Sequence, residues 1–247
     1  MICDSHCHLK HGNKERTEYT PEAIVEIMDE AGIDKTVVFA MCLTTGDAIK
    51  MTIDAHRKFP NRLIPYAYAL PHIGEPALPK IAEAITDHGF KGIKVHGGEV
   101  RLAEYIIDPV FDLAAKLDVP CLVDFVGKVS DARRIAEAFP KTKIIVAHFG
   151  QYWCTNRDMI DDFIKLAEDC ENVILDTSGV VLTWKIVEAV NRIGSNRIAF
   201  GIDGPAPYPS LVGYAQQEIE KTRALPISEL DKLNLFYNTI ARLLKLN

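Results

Sequence analysis

Asp4-Ser5-His6-Cys7-His8-Leu9-Lys10-His11-Gly12, DSHCHLKHG, closes the first apolar run of the chain. In an open, doubly wound α/β sheet, a first strand often feeds a glycine-rich turn that cradles phosphate. No such turn is present here. The stretch instead carries two histidines one residue apart, with an aspartate two residues before them. Residues two apart in a strand point to the same side, so His6 and His8 share a face. What that face looks onto depends on the strands that follow.

Seven more strand-length apolar runs follow: Lys35–Met41, Arg62–Leu70, Phe90–His96, Val119–Phe125, Lys143–Phe149, Asn172–Ser178 and Arg197–Asp203, with the first run at Met1–Ser5. Most are nearly continuous rather than alternating, as expected of strands buried on both faces. Helical patterns fill the intervals. Thr20-Pro21-Glu22 supplies an N-cap with proline at the first helical position, and Gly32 closes that helix. Further helices are expected at Thr45–Lys58, Pro76–His88, Leu102–Leu117, Ser130–Phe139, Asp158–Asp169 and Thr183–Ile193, with a terminal helical region at Ser228–Leu246. Eight βα units in 247 residues match a (β/α)8 barrel in number and length. The fold class expected is therefore α/β, a single distorted TIM barrel over residues 1–247 with an extra C-terminal helix.

Composition narrows the function. The formal charge of −6 carries no basic stripe, which argues against a nucleic-acid partner. No apolar segment approaches the roughly 18 residues of a membrane helix, and the N-terminus has no basic region before a long apolar stretch. The six cysteines form no CxxC pair. A reduced, cytoplasmic protein is the expectation.

In such a barrel the active site lies at the C-terminal ends of the strands. Polar residues gather there: Asp4, His6 and His8 after the first strand, His72 after the third, Lys94 and His96 on the fourth, then Asp124, His148, Asp176 and Asp203 on the last four. Five of the eight histidines fall on this one face. Neutral imidazole and carboxylate suit zinc and related divalent ions. His6 and His8 could converge on one ion, with His148 and Asp203 reaching it from later strands. Such an ion would lower the pKa of a bound water to about 7 or polarise a substrate carbonyl, with Asp203 taking the proton. An isolated HxH is weak evidence. Asp4 reads first as a hydrogen-bond anchor, and Asp176 as a hydrogen-bonding residue within the barrel layer. His11 and His72 read as loop residues, and His56 and His88 as solvated or capping groups.

The ordered set DSHCHL, GFKGIKVHGG, IIVAHFG, VILDTSG, IAFGIDGP and FYNTIARLLKL spans nearly the whole chain and resembles the amidohydrolase superfamily, in its amidohydrolase-related branch of decarboxylases and lactonases. The resemblance implies one or two divalent ions, zinc foremost, at the C-terminal face. His6, His8 and Asp203 would be ligands, and His148 a ligand or an acid/base group. One departure stands out: Asp124 occupies the place where many members carry a strand-5 histidine ligand. It could serve as a ligand itself or mark a weakened site. Lys94 stands where some members carry a carbamylated lysine. A plain ammonium there would suit a carboxylated substrate.

The first functional reading is a metal-dependent hydrolase of a small lactone, amide or ester, using metal-activated water with Asp203 as general base and His148 as catalytic partner. The alternatives are a metal-dependent decarboxylase of an unsaturated carboxylic acid, or a non-catalytic barrel that has lost its strand-5 ligand. Lys94, His96, Arg101 and Trp153 are the expected substrate contacts, and Lys10, Lys128 and Arg157 are further candidate anchors for a carboxylate. The partner expected is a small-molecule substrate, and fold-level analogy admits a homodimer.

Overall fold

Strand β1 runs Cys3–Lys10, longer than the apolar run predicts, because its polar residues face a lumen rather than solvent. The computed structural model describes every residue except Ile73, Glu75 and Asn247. After β1 come β2 (Lys35–Ala40), β3 (Leu63–Tyr68), β4 (Gly92–His96), β5 (Cys121–Asp124), β6 (Ile144–Val146), β7 (Val173–Asp176) and β8 (Ile198–Ala199). Each pairs in parallel with the next, in the order β1 to β8. Residues after β8 close the ring against β1. Phe200 O accepts from Ser5 N at 2.9 Å, Gly204 O from His8 N at 2.7 Å, and His6 O from Asp203 N at 2.8 Å. This is the expected TIM barrel.

Helices alternate with the strands: α1 (Pro21–Ala31), α2 (Thr45–Lys58), α3 (Ala77–Asp87), α4 (Glu104–Leu117), α5 (Val129–Ala138), α6 (Arg157–Asp169), α7 (Thr183–Ile193) and α8 (Leu211–Arg223). Thr20 Oγ1 accepts from Ala23 N at 3.2 Å at the start of α1, and Gly32 ends it at φ 76°. Helix α8 is the element the sequence patterns miss. The proline-rich Asp203–Ser210 stretch hides its start, where Ser210 Oγ accepts from Gly213 N at 3.0 Å. The terminal region begins with a capping box between Ser228 and Asp231 and comprises α9 (Glu229–Leu233), a π-helical turn at Asn234–Asn238 and α10 (Thr239–Leu244).

The core lies in two shells. Outward residues of the strands, such as Ile93, Val123 and Val146, pack under the helices with Phe111, Ile135 and Phe163. Inward residues fill the lumen floor: Tyr66, Leu122, Ile145 and Ile174 are buried together with Phe39. Gly92 is small because the Tyr66 ring lies where its side chain would be, 2.4 Å from an ideal Cβ. Above this apolar floor the inward positions turn polar, and the site begins there. All six cysteines are free. Among the described residues no helix is long and apolar enough to cross a membrane.

Candidate active site

Alternation along β1 places Asp4, His6 and His8 on the lumen side, and each is buried. Asp4 is an anchor. Its carboxylate accepts from His6 N at 3.0 Å, Ile202 N at 2.8 Å and Thr36 Oγ1 at 2.6 Å, tying β1 to β2 and to the turn after β8. That turn carries Asp203 at φ 60°. Its Oδ1 lies 2.8 Å from His8 Nε2 and 3.1 Å from His6 Nε2.

These three ligand atoms form a cradle. Bonds of about 2.1 Å hold neighbouring ligand atoms about 3.0 Å apart at octahedral angles and about 3.4 Å apart at tetrahedral angles. The two measured edges, 2.8 and 3.1 Å, come near the octahedral spacing. Two imidazoles and one carboxylate leave coordination positions open for a substrate. The electrostatics agree with the donor set. Burial lowers His6, with the nearby Lys94 charge adding to it, and burial lowers His8 further, so both rings are neutral. Burial alone would raise Asp203, but His6, His148 and the His8 hydrogen bond hold its carboxyl well below the usual range. His8 Nδ1 is buried without a hydrogen-bond partner, so no contact on that side fixes its tautomer. The donors fit a divalent ion.

A second trio, His6, His148 and Asp176, also lies close together. Its centre is filled by a hydroxyl. Ser178 Oγ is 2.9 Å from His148 Nδ1 and 3.3 Å from His6 Nδ1, and it hydrogen-bonds to Asp176. These residues therefore support the rings from behind.

His148 sits in a sharp turn after β6 with φ 60°, followed by Phe149 at φ 52°. Strand β6 is expected to continue through Phe149, but the chain breaks into this 3₁₀ turn at Ala147. The turn re-aims the imidazole. Nδ1 donates to Ser178 O at 3.0 Å, which leaves Nε2 facing the cavity, 3.7 Å from Asp124 Oδ2 and 3.9 Å from Asp203 Oδ2. Asp124 stands across the cavity from the cradle. It accepts from Val126 N at 2.8 Å and pairs with His96 Nε2 at 3.2 Å. Gly98 N donates to His96 Nδ1 at 3.1 Å, so His96 presents its Nε2–H to Asp124. Burial would raise Asp124, but His96 and His148 hold it low.

Lys94, fully buried on β4, brings its Nζ to 3.0 Å from His6 Nε2 and 4.8 Å from the Phe39 ring centre. Burial lowers its pKa, opposed by the charges of Asp124, Asp203 and Asp176.

The cavity enclosed by these groups is about 190 Å³ and is lined by His6, His8, Lys94, Asp124, His148 and Asp203, among others. A cavity on the order of 150 Å³ holds a benzene-sized ring, so this one suits a single-ring or similarly small molecule. A larger groove of about 480 Å³, lined by Tyr19, Thr20, Asp47 and Met51 among others, lies on the helical flank away from the strand-end histidines.

Of the expected substrate contacts, Lys94 and His96 line the cavity, while Arg101 and Trp153 do not. Arg101 is exposed. Trp153 is turned outward at 61% exposure and stacks on Tyr152, which takes the wall position over His148. Lys10 pairs with Glu18, Lys128 donates to Gly97 O at 3.2 Å, and Arg157 stands over the Trp184 ring. His11 stacks on His8 and donates to Pro205 O at 2.7 Å. Ser178 is the functional neighbour that strand-end reasoning passes over. The Thr177-Ser178-Gly179 turn after β7 is its only signal.

A parallel eightfold barrel with two histidines and a carboxylate that could hold an ion, and a facing histidine at its C-terminal mouth, has the layout of a TIM-barrel enzyme site. The sequence profile described as amidohydrolase matches residues 3–246. The chain belongs to this family, within the amidohydrolase superfamily. A search of curated protein sequences finds no significant match. Solved structures share the fold. A dihydroxybenzoic acid decarboxylase from a Polaromonas species, with bound manganese and the inhibitor 2-nitroresorcinol, is 20% identical with TM-score 0.74, over 100% of this chain and 97% of that one. The 5-carboxyvanillate decarboxylase of Novosphingobium aromaticivorans, complexed with manganese and 4-hydroxy-3-methoxy-5-nitrobenzoic acid, is 17% identical with TM-score 0.75, over 99% and 95%. The 4-oxalomesaconate hydratase of Rhodopseudomonas palustris is 15% identical with TM-score 0.70, over 99% and 96%.

Proposed function

We propose that this protein is a metal-dependent decarboxylase of a small unsaturated or aromatic carboxylic acid. The observation that carries the reading is a buried ammonium, Lys94, in the same small cavity as the cradle and His148. A carboxylate entering the cavity meets the Lys94 ammonium beside the neutral imidazoles of His6 and His8. The similar decarboxylases that bind manganese and small carboxylated or nitrated rings support the same choice.

His6, His8 and Asp203 would hold the ion, which supplies Lewis-acid polarisation of substrate oxygen when bound. The chain's own residues do the rest. Lys94 and the cradle orient the carboxylate and its neighbouring oxygen. His148 Nε2 supplies the proton that takes the place of carbon dioxide on carbon, leaving the bonding electron pair on that carbon until protonation. Asp124 and Asp203, on either side of Nε2, stabilise the imidazolium before transfer. Ser178 O fixes Nδ1–H, so Nε2 is the nitrogen that exchanges its proton. Manganese is the first ion to test, with zinc the alternative from the donor set, and the free cysteines suit a reducing cytoplasm.

Hydrolysis of a lactone, amide or ester is the second reading. It is favoured by Asp203, whose second oxygen faces the cavity and could act as general base. Manganese-loaded protein should release carbon dioxide from a panel of hydroxybenzoates and unsaturated acids while leaving lactones, esters and amides intact. His148→Gln should slow that release by about 100-fold or more. Turnover of the lactone, ester or amide panel alone would replace decarboxylation with hydrolysis.

A further inference from the structure

His6 Nε2 has one lone pair in the plane of its ring, and the cradle needs that lone pair for the ion. In the structure it is already engaged. Lys94 Nζ lies 3.0 Å from it, and an ammonium can only donate. The other ring nitrogen of His6 faces Ser178 Oγ at 3.3 Å and Asp176 Oδ1 at 3.7 Å, where its N–H has acceptors. Asp203 Oδ1 also lies 3.1 Å from Nε2, but the acceptors at Nδ1 and the nearer ammonium at Nε2 together favour the tautomer that offers Nε2 to a cation, and the resident cation is a lysine. We propose that Lys94 is the counter-cation of the cradle, occupying the ion's position on His6 and yielding it when a divalent ion enters, so that Lys94 sets how tightly the ion is held.

The surroundings support an exchange of position. Three carboxylates, Asp124, Asp176 and Asp203, act on Lys94, and both Lys94 and His6 are fully buried. Lys94 is the only lysine or arginine lining this cavity among the described residues. It neutralises part of the carboxylate charge before the ion arrives. An ion bonded to His6 Nε2 would lie on the same side of the ring as Nζ, where two positive centres repel. Asp124, across the cavity on the neighbouring strand, offers the displaced ammonium another carboxylate. Lys94↔Leu122 and His96↔Asp124 are paired positions of β4 and β5, which places Lys94 and Asp124 on neighbouring strands of the same cavity. Released from His6, the ammonium is then available to a substrate carboxylate.

This inference rests on the reading of His6, His8 and Asp203 as the metal cradle, and the test separates the two. Manganese binding is measured by calorimetry on the full chain for wild type, Lys94→Met, Lys94→Gln and, as a control of a lysine that does not line the cavity, Lys128→Met. Lys94→Met and Lys94→Gln should bind manganese at least about fivefold more tightly than wild type, a change of roughly 1 kcal/mol, and Lys128→Met should match wild type. Without manganese, the thermal midpoint of Lys94→Met should fall below wild type, because the carboxylates lose their counter-ion, and manganese should restore it. Lys94→Gln supplies the affinity comparison if Lys94→Met does not fold. Wild-type binding with affinity in both Lys94 variants unchanged within twofold overturns the inference and leaves the cradle standing. Weaker binding in those variants, with a carbon dioxide adduct on wild-type Lys94 by native mass spectrometry, overturns it in favour of a carbamate ligand. Manganese binding by neither wild type nor variants overturns the cradle reading and the inference with it.

Discussion

Ser178 touches both functional imidazoles without lining the cavity: its Oγ is 2.9 Å from His148 Nδ1 and 3.3 Å from His6 Nδ1. Removing the hydroxyl leaves buried ring nitrogens with one partner fewer, a cost of about 1–3 kcal/mol. Ser178→Ala should therefore lower unfolding free energy by that amount in urea. It should also reduce kcat by roughly tenfold with little change in KM, because His148 loses orientation rather than substrate contact. His6, His8 and Asp203 were legible in the sequence as a possible constellation because strand period and strand ends determine where such residues point. Ser178 was not, since a serine in a turn has no periodic signature. Trp153 is expected from the sequence to contact substrate, but its neighbour Tyr152 takes the position over His148. A one-residue difference in a loop is decided by a positive φ, here 50° at Trp153, which no pattern of residue types reveals.

The seam between β7 and the segment after β8 is the element on which this support depends. Asp176 Oδ2 accepts from Ser5 Oγ at 2.5 Å, and an ideal Cβ on Gly201 would lie 2.0 Å from the same oxygen. Only bare backbone fits there. Gly201→Ala should displace the Asp176 carboxylate, costing about 1–3 kcal/mol by overpacking, and should lower turnover through Ser178 and His148. Gly92→Ala, at the Tyr66 ring in the lumen floor, should cost a similar amount in urea unfolding while sparing turnover. Loss of turnover in neither variant would separate the seam from the chemistry. Strand number, order and the cap of α1 were readable because buried parallel strands are continuous apolar runs and because Thr-Pro and Gly mark helix ends. Two elements were not. Helix α8 follows a proline-rich stretch and carries a weaker apolar stripe than its neighbours. The 3₁₀ turn holding His148 is imposed by the need to aim Nε2 inward, against the apolar run that continues through Phe149.

Across the whole molecule, burial and charge bias stability with pH in two directions. Burial raises Asp4 to about 8 and raises Glu218, which favours the fold as pH falls toward 4, while the site imidazoles and the remaining site carboxylates act the opposite way. His6 and His8 are lowered by burial, so their contribution is present above the unfolded value near 6.5 and is lost as pH falls below it. Asp124, Asp176 and Asp203 are held below their unfolded values near 4 against the opposing effect of burial, and their contribution disappears on further acidification. Between pH 7 and pH 4 the rise of Asp4 and the lowering of His6 and His8 oppose each other, and the thermal midpoint should fall steeply below pH 4, where Asp124, Asp176 and Asp203 lose their charge. In Asp203→Asn the decline below pH 4 should be shallower, as read by circular dichroism. A midpoint that rises on acidification below pH 4 would contradict the assigned charge states. The central claim is that the chain holds a divalent ion on His6, His8 and Asp203, and the most direct measurement is elemental analysis of manganese-loaded, desalted protein. Wild type should carry close to one equivalent per chain, and His6→Ala, folded by circular dichroism, should carry less than about a tenth of that, since loss of one of three protein ligands weakens such a site severely. Wild type below a tenth of an equivalent, or His6→Ala retaining the full ion, would contradict it.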